Sequence, residues 1–588
     1  MMRPLVALLS LLAMPALADV HVDAFTNLVL GRQAEISARM FGITAFEGFP
    51  AVVADRDYRA AVAALRPGIF RFGGNVAWFA PKEDDPAWYE TEEALRQFRE
   101  TLLFGARYAF GRFPTVYREM GAEAMFSFGD PPPYLCQSGT SHPADFDRWA
   151  EHCVGLLGLW KRCDPDLRLV QVWNEPNATW FGDPRTEEEG VTATSLHIEM
   201  ANKVATAIKQ RFPEVQVGGP VLCWPPAWPA AQQGMEPWYT WDLWTVPWLQ
   251  QTQDTMDFFD FHVYDVSAAD LAVQVEMLAN QALLTMGRDL PIWITESNTN
   301  LTPEEIGDPR AIWLKRLLPY ERLLLRGMLP QADKVAGNLY HDLHAKNHTL
   351  LPRSADDPDP LYRLLWVLRD LRGLRVVADS DDPDLLCYAT LEEDRVTVVL
   401  FNDSEQDKVV PLTVSMPCGY WTGPTVRGIG EGNEGICDRI AVEVDLARDG
   451  NRAGGRVTLP ALATASVSFL LDRFATPPRS RLVHEHFGDR TLQFVTQERP
   501  ARVAISVPAA GASRTRLRLG LLGAEGDERL SLSLNGTELP VRATALQELE
   551  LQGAAVQASN VMELSLTGPA HNPRLALGFA SIVTEVGR

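Results

Sequence analysis

Cysteine is scarce in this chain, with 7 in 588 residues, and none of them sits in a CxxC pair or a Cys/His spacing suited to zinc. That argues against a thiol–disulfide or zinc chemistry. An odd count leaves at least one thiol free. Cys153 with Cys163, and Cys418 with Cys437, are the expected local bridges, and Cys136, Cys223 and Cys387 remain. Basic residues are also in deficit: 54 Lys and Arg stand against 76 Asp and Glu, a formal charge of −22. Nucleic acid and an anionic membrane surface are therefore disfavoured as partners, although a few arginines in a cleft can override a distant field. Beyond the N-terminus no apolar run approaches the ~20 residues of a spanning helix. Low-complexity segments and internal repeats are lacking too, and nothing in the sequence signals an oligomeric state.

What is present begins with a leader. Arg3, the apolar run 5–12 and Ala16-Leu17-Ala18 make residues 1–18 a signal peptide cleaved after Ala18, so the mature protein is expected to be secreted or periplasmic. From residue 39 to 372, short apolar runs alternate with helical periodicity, the pattern of βα units. Strands are expected at 39–44, 69–72, 122–128, 167–173, 215–219, 258–264, 292–295 and 335–340. Helices are expected at 88–109, 141–162, 195–211, 268–286 and 311–328, with a closing helix at 360–374. The fold class is α/β: a (β/α)8 barrel over 19–372, followed by all-β sandwiches over 373–475 and 480–588, with Pro477-Pro478 as linker. Residues 20–30 are expected to add a strand to the first sandwich.

Barrel enzymes carry reactive groups at the C-terminal ends of strands. Strand four ends in Val172-Trp173-Asn174-Glu175-Pro176 and strand seven in Trp293-Ile294-Thr295-Glu296-Ser297, each placing a carboxylate directly after an apolar run. An ordinary core strand avoids such a charge. Two carboxylates across a barrel mouth suit glycosidic cleavage, one donating a proton while the other attacks the anomeric carbon. No cofactor or metal is expected.

The pair Asn174-Glu175-Pro176 and Thr295-Glu296-Ser297 resembles glycoside hydrolase clan A over residues 35–372. The resemblance implies a retaining enzyme in which Glu175 is the catalytic acid/base and Glu296 the catalytic nucleophile. It also implies that Asn174 binds the sugar 2-hydroxyl, that Tyr264 hydrogen-bonds the nucleophile and that His262 lies near the acid/base. Arg71, in Ile69-Phe70-Arg71-Phe72-Gly73-Gly74, looks like the clan arginine that keeps the nucleophile ionised. Strand eight departs from the clan, offering Asn338, Tyr340, His341 and His344 where many members have a Trp, so Asn338 and His344 are expected to touch substrate. His341, His344 and His348 lack an accompanying carboxylate or cysteine set at metal-ligand spacing.

Trp224, Trp228, Trp238, Tyr239, Trp241, Trp244 and Trp248 crowd the segment after strand five, where indoles can stack on sugar rings or form a lid core. More than half are expected to serve the core, while Trp173, Trp180 and Trp224 are the expected sugar-stacking residues. The last sandwich has no Trp, which favours a buttressing role. The motif Ser37-Ala38-Arg39-Met40-Phe41-Gly42 and the two sandwiches lean toward family 86, the β-agarases and β-porphyranases, implying an endo-acting enzyme on a marine galactan. Family 39, the β-xylosidases and relatives, implies an exo-acting one. A non-catalytic carbohydrate-binding barrel is the alternative of another class. The expected partner in every case is a polysaccharide or oligosaccharide.

Overall fold

The computed structural model describes residues 19–587 except positions 32, 46–47, 104–105, 109, 181–182, 228–239, 302–304, 306–307, 344–349, 351–359, 433–436, 473–478, 509–511, 513, 525, 527, 552–555 and 568–574. The leader, Trp228, Trp238, Tyr239, His344 and His348 thus lie outside the described residues. Eight parallel strands close into a barrel: Gly42–Thr44, Ile69–Asn75, Glu123–Gly129, Leu169–Val172, Gln216–Leu222, Phe258–Tyr264, Ile292–Asn298 and Val335–Tyr340. These are the expected strands, several shifted by a few residues toward the C-terminal rim.

Successive side chains on a strand point to opposite faces. Ile69, Met125, Leu169, Phe258, Trp293 and Leu339 therefore meet as one buried apolar plug, near the starts of their strands except for Leu339. Two residues further along four of those strands, Arg71, Ser127, Gln171 and Asp260 form a buried polar layer. The reactive rim lies above it.

The crossover helices start where capping side chains permit. Asp145 caps Phe146–Cys163, Thr192 and Ser195 form a capping box for Ala193–Arg211, and Ser267 caps Ala268–Met286. The expected helix 88–109 is shorter, Glu92–Arg99, and gives way to a hairpin of Thr101–Leu103 and Ala106–Tyr108. Thr101 and Gly105 are poor helix residues, which accounts for the early stop. The closing helix ends at Leu368, because Gly373 takes a φ of +93° to begin the strand Gly373–Ser380. Over 309–328 the helix widens into π turns at Ile312–Leu317 and Leu323–Met328, around Pro319, which has no N–H to donate.

Val20–Leu30 does join the first sandwich, antiparallel to Gly373–Ser380 and parallel to Lys408–Ser415. It also pairs with Arg479–Phe487 of the last sandwich, so one 16-stranded sheet runs through both. Each sandwich keeps its own apolar core. The last packs Leu522, Ala576 and Phe579 onto Val273 and Met277 of the barrel helix Ala268–Met286 and onto Trp241. Beside this contact, Arg518 bonds Glu276 and Glu485 at 2.8 Å each.

The expected disulfides are corrected: none of the seven cysteines is joined to another. Cys153 and Cys163 share one helix, where ten residues at 1.5 Å rise separate them by about 15 Å, far beyond bridging distance. Cys437 packs in the barrel-side core and Cys418 in that of the sandwich, where its thiol donates to the Tyr420 carbonyl at 2.9 Å.

Candidate active site

Strand four delivers Glu175 through an irregular backbone. Trp173 has a φ of 76° and Glu175 a φ of 50°, both left-handed, and the Glu175 N–H donates to the Val221 carbonyl at 2.9 Å. Such conformations cost free energy and persist where the surroundings over-determine them. Here Ser127 Oγ donates to the Trp173 carbonyl at 2.8 Å, and Pro176 opens the short helix Pro176–Thr179. The turn lifts Glu175 to the rim, with its side chain 26% exposed.

Glu296, 12% exposed, stands opposite within strand seven. Its Oε1 accepts from Arg71 Nη1 at 2.5 Å and its Oε2 from the Tyr264 hydroxyl at 2.6 Å. His262 Nδ1 and His341 Nδ1 lie 3.5 and 3.6 Å from the same Oε2. Burial pushes this carboxyl up, but His262, His341, Arg71 and the Tyr264 hydroxyl together hold it well below the usual carboxylate range. Glu296 is therefore ionised.

His262 Nδ1 is 2.8 Å from Glu175 Oε1, so one imidazole nitrogen faces both carboxylates. Burial raises the Glu175 carboxyl and the Glu296 charge adds to this, yet the His262 hydrogen bond and charge, helped by the Cys223 thiol, bring it below its ordinary value. A general acid needs the opposite bias, so this arrangement does not by itself provide it. One donor atom each of Glu175, His262 and Glu296 lies within 4.8 Å of the other two. Two carboxylates and an imidazole also resemble a cation site by donor type. Both Glu296 oxygens are already taken by hydrogen-bond donors, one of them a guanidinium that repels a cation, so no cation site is assigned here.

Asn174, Arg71, His262 and Tyr264 converge as expected: Arg71 Nη2 donates to Asn174 Oδ1 at 2.7 Å. Other expectations are corrected. Trp173 is 3% exposed and Trp180 0%, their rings packed with Trp149 and with His142, which stacks on Trp180 at 4.4 Å. Neither indole offers a face to a sugar. Asn338, 1% exposed, points away from the barrel mouth into the outer layer, donating to the Met40 carbonyl in the turn Ala38–Phe41 and to the Tyr320 hydroxyl in the helix Leu318–Arg322 at 3.4 and 3.3 Å. Trp224 is half-buried just past strand five. Trp241, Trp244 and Trp248 are buried, as the core assignment of that segment anticipates.

Three neighbours of the site escaped the sequence reading, and so did the place of a fourth. His341 was named among the polar residues of strand eight, but only its position one step beyond Tyr340 brings it to Glu296. Cys223, one residue past strand five, carried no motif. Gln171 and Asp260 precede Trp173 and His262 by two residues, so inward alternation could have found them.

Residues 157–311 match the family model described as the glycosyl hydrolase catalytic core, a span that holds Glu175, His262, Tyr264 and Glu296. A β-xylosidase of Geobacillus stearothermophilus is 26% identical over 99 residues, 16% of this chain. The chain thus spans 18% of that relative's length. Among solved structures, a family 86 glycoside hydrolase in complex with neoagarooctaose superposes with a TM-score of 0.74 at 15% identity, covering 97% of this chain and 98% of that one. A family 86 β-porphyranase from the human gut bacterium Bacteroides plebeius gives 0.68 at 14% identity, over 96% and 99%. These likenesses are of fold. Residues 157–311 are thus similar to the glycosyl hydrolase catalytic core, and the fold around them follows that of the family 86 structures along nearly the whole chain.

Proposed function

We propose that the protein is an exported, retaining, endo-acting glycoside hydrolase that cleaves β-glycosidic bonds of a galactan of the agarose or porphyran type. The observation that carries this reading is the approach of Glu175 and Glu296 to within 4.8 Å through single carboxylate oxygens. Retaining enzymes hold their carboxyl groups roughly 5–5.5 Å apart, whereas inverting ones leave room for a water between them.

In the first step Glu296 attacks the anomeric carbon, and Glu175 protonates the departing glycosidic oxygen as that bond breaks. Arg71 and Tyr264 keep the nucleophile charged and aimed. A bound sugar covers the exposed part of Glu175 and excludes water. This strengthens both influences that raise its carboxyl, burial and the Glu296 charge, and prepares it as acid. Once Glu296 is glycosylated its charge is gone, one raising influence disappears, and Glu175 falls to the basic form that takes a proton from water. Asn174, held by Arg71, is available for the sugar 2-hydroxyl.

Endo action on a galactan finds support in the family 86 neighbour that was crystallised with neoagarooctaose, a long oligosaccharide. Export rests on the leader in residues 1–18. Among the described residues no helix is long and apolar enough to cross a membrane. Early product sizes from agarose, porphyran, xylan and mixed β-glucans test the substrate. Oligosaccharides from a galactan are expected, and monosaccharide alone would refute endo action. Glu296→Gln should abolish hydrolysis while leaving the fold intact, and undiminished turnover in that variant rules out the nucleophile. A wild-type protein that binds these glycans and hydrolyses none is the non-catalytic barrel.

A further inference from the structure

The barrel interior beneath the nucleophile holds a carboxylate that the reaction does not use. Asp260 is fully buried, one layer above the apolar plug, where the neighbouring layer uses only apolar side chains. Burial pushes its carboxyl up to about 6, against the opposing influence of Gln171, the Val221 N–H, Arg71 and His262. Those are the groups that face it: Gln171 from strand four, Val221 from strand five, Arg71 from strand two and His262 from its own strand. Retaining a carboxylate there is costly unless it does something an apolar residue cannot.

Its hydrogen bonds run in one direction. Asp260 Oδ1 accepts from the Val221 N–H at 2.6 Å, and Oδ2 accepts from Gln171 Nε2. The other end of that amide, Gln171 Oε1, accepts from Arg71 Nε at 2.6 Å. Arg71 then donates to Glu296 at 2.5 Å and to Asn174 at 2.7 Å. Val221 in turn accepts from the Glu175 N–H at 2.9 Å. Arg71 can only donate and an ionised carboxylate can only accept, so the amide between them has a single satisfied orientation.

We propose that Asp260 is a positioning residue which, by fixing the orientation of the Gln171 amide, aims Arg71 at Glu296 and Asn174. The proposal rests on the double-displacement reading above. In Asp260→Asn one of two acceptors is lost, so the new Nδ2 faces either the Val221 N–H or Gln171 Nε2. If Gln171 flips to accept from it, its own Nε2 then faces the Arg71 N–H. In every arrangement two donors oppose each other in a dry interior. Moving the carboxylate to position 171 repairs this, because the amide introduced at position 260 can donate to one of its oxygens while the other accepts from Arg71.

The test uses the full-length protein and whichever polysaccharide of the panel the wild type hydrolyses fastest. Asp260→Asn should lower kcat about 10- to 100-fold, the loss expected when a buried charged donor is left opposed. Asp260→Asn combined with Gln171→Glu should recover to within about threefold of wild type, the tolerance of a restored buried contact. Gln171→Met cuts the chain without touching Asp260 and should show the same kcat loss if Asp260→Asn does not fold. Full kcat in a folded Asp260→Asn or Gln171→Met variant overturns the proposal. So does a loss in Asp260→Asn that Gln171→Glu fails to recover, since a merely structural carboxylate predicts that result. Undiminished turnover in Glu296→Gln, or none in the wild type, sinks the underlying reading instead and is distinguishable from both.

Discussion

His262→Phe probes the electrostatics of the site most sharply, because one imidazole nitrogen lies 2.8 Å from Glu175 and 3.5 Å from Glu296. Phenylalanine keeps the ring volume in this fully buried position and removes the donor. Two of the influences that lower Glu175, the His262 hydrogen bond and the His262 charge, are lost, while burial and the Glu296 charge, which raise it, remain. A hydrogen bond to a charged group is worth about 1.5–3 kcal/mol, so its loss is large enough to raise the Glu175 carboxyl measurably. In the proposed double displacement Glu175 must be protonated, so the basic limb of kcat/KM against pH should move to higher pH. Glu296 also loses a lowering influence, so the acidic limb should move up as well. The profile of the free enzyme is read from kcat/KM on a soluble oligosaccharide between pH 3 and 10, with thermal unfolding as the control for folding. A basic limb that stays in place or moves to lower pH in a folded variant would refute the assignment of His262 as the group that sets Glu175.

Two further outcomes follow from packing rather than chemistry. Trp180→Ala should destabilise the barrel by about 3–5 kcal/mol in denaturant unfolding, the cost of emptying a buried indole site, while KM for polysaccharide stays close to wild type. A many-fold rise in KM with stability intact would restore the sugar-stacking role that its burial denies. Arg518→Ala leaves Glu276 and Glu485 with Lys334 as their shared cation at the junction of barrel and last sandwich, so it should cost about 1.5–3 kcal/mol, the worth of hydrogen bonds to a charged group, rather than that of a stranded charge. A calorimetric midpoint equal to that of wild type would mean the two parts are not energetically joined there.

Much of the barrel was legible because its signals are local. Apolar runs of strand length between amphipathic stretches marked all eight strands, and a carboxylate directly after such a run marked Glu175 and Glu296. Misreadings arose where one residue type serves two ends. An indole contributes equally to a core and to a sugar platform, and only the stacking of His142 on Trp180 decides between them. Cysteine spacing suggested bridges that a single continuous helix forbids for Cys153 and Cys163. Asn338, a polar residue of strand eight, was placed at the rim, but the register turns it outward to the helical layer and Tyr320. The joining of the two sandwiches by Val20–Leu30 was only half visible, since pairing with strands more than 400 residues away leaves no local trace.

The central claim is that Glu296 forms a covalent glycosyl-enzyme with Glu175 as its proton partner. Proton NMR of the first-formed product, recorded before mutarotation, tests it directly. The predicted result is an initial product with the β-anomeric configuration of the bond that was cut. An initial α-anomer would contradict the double displacement and with it the roles of both glutamates.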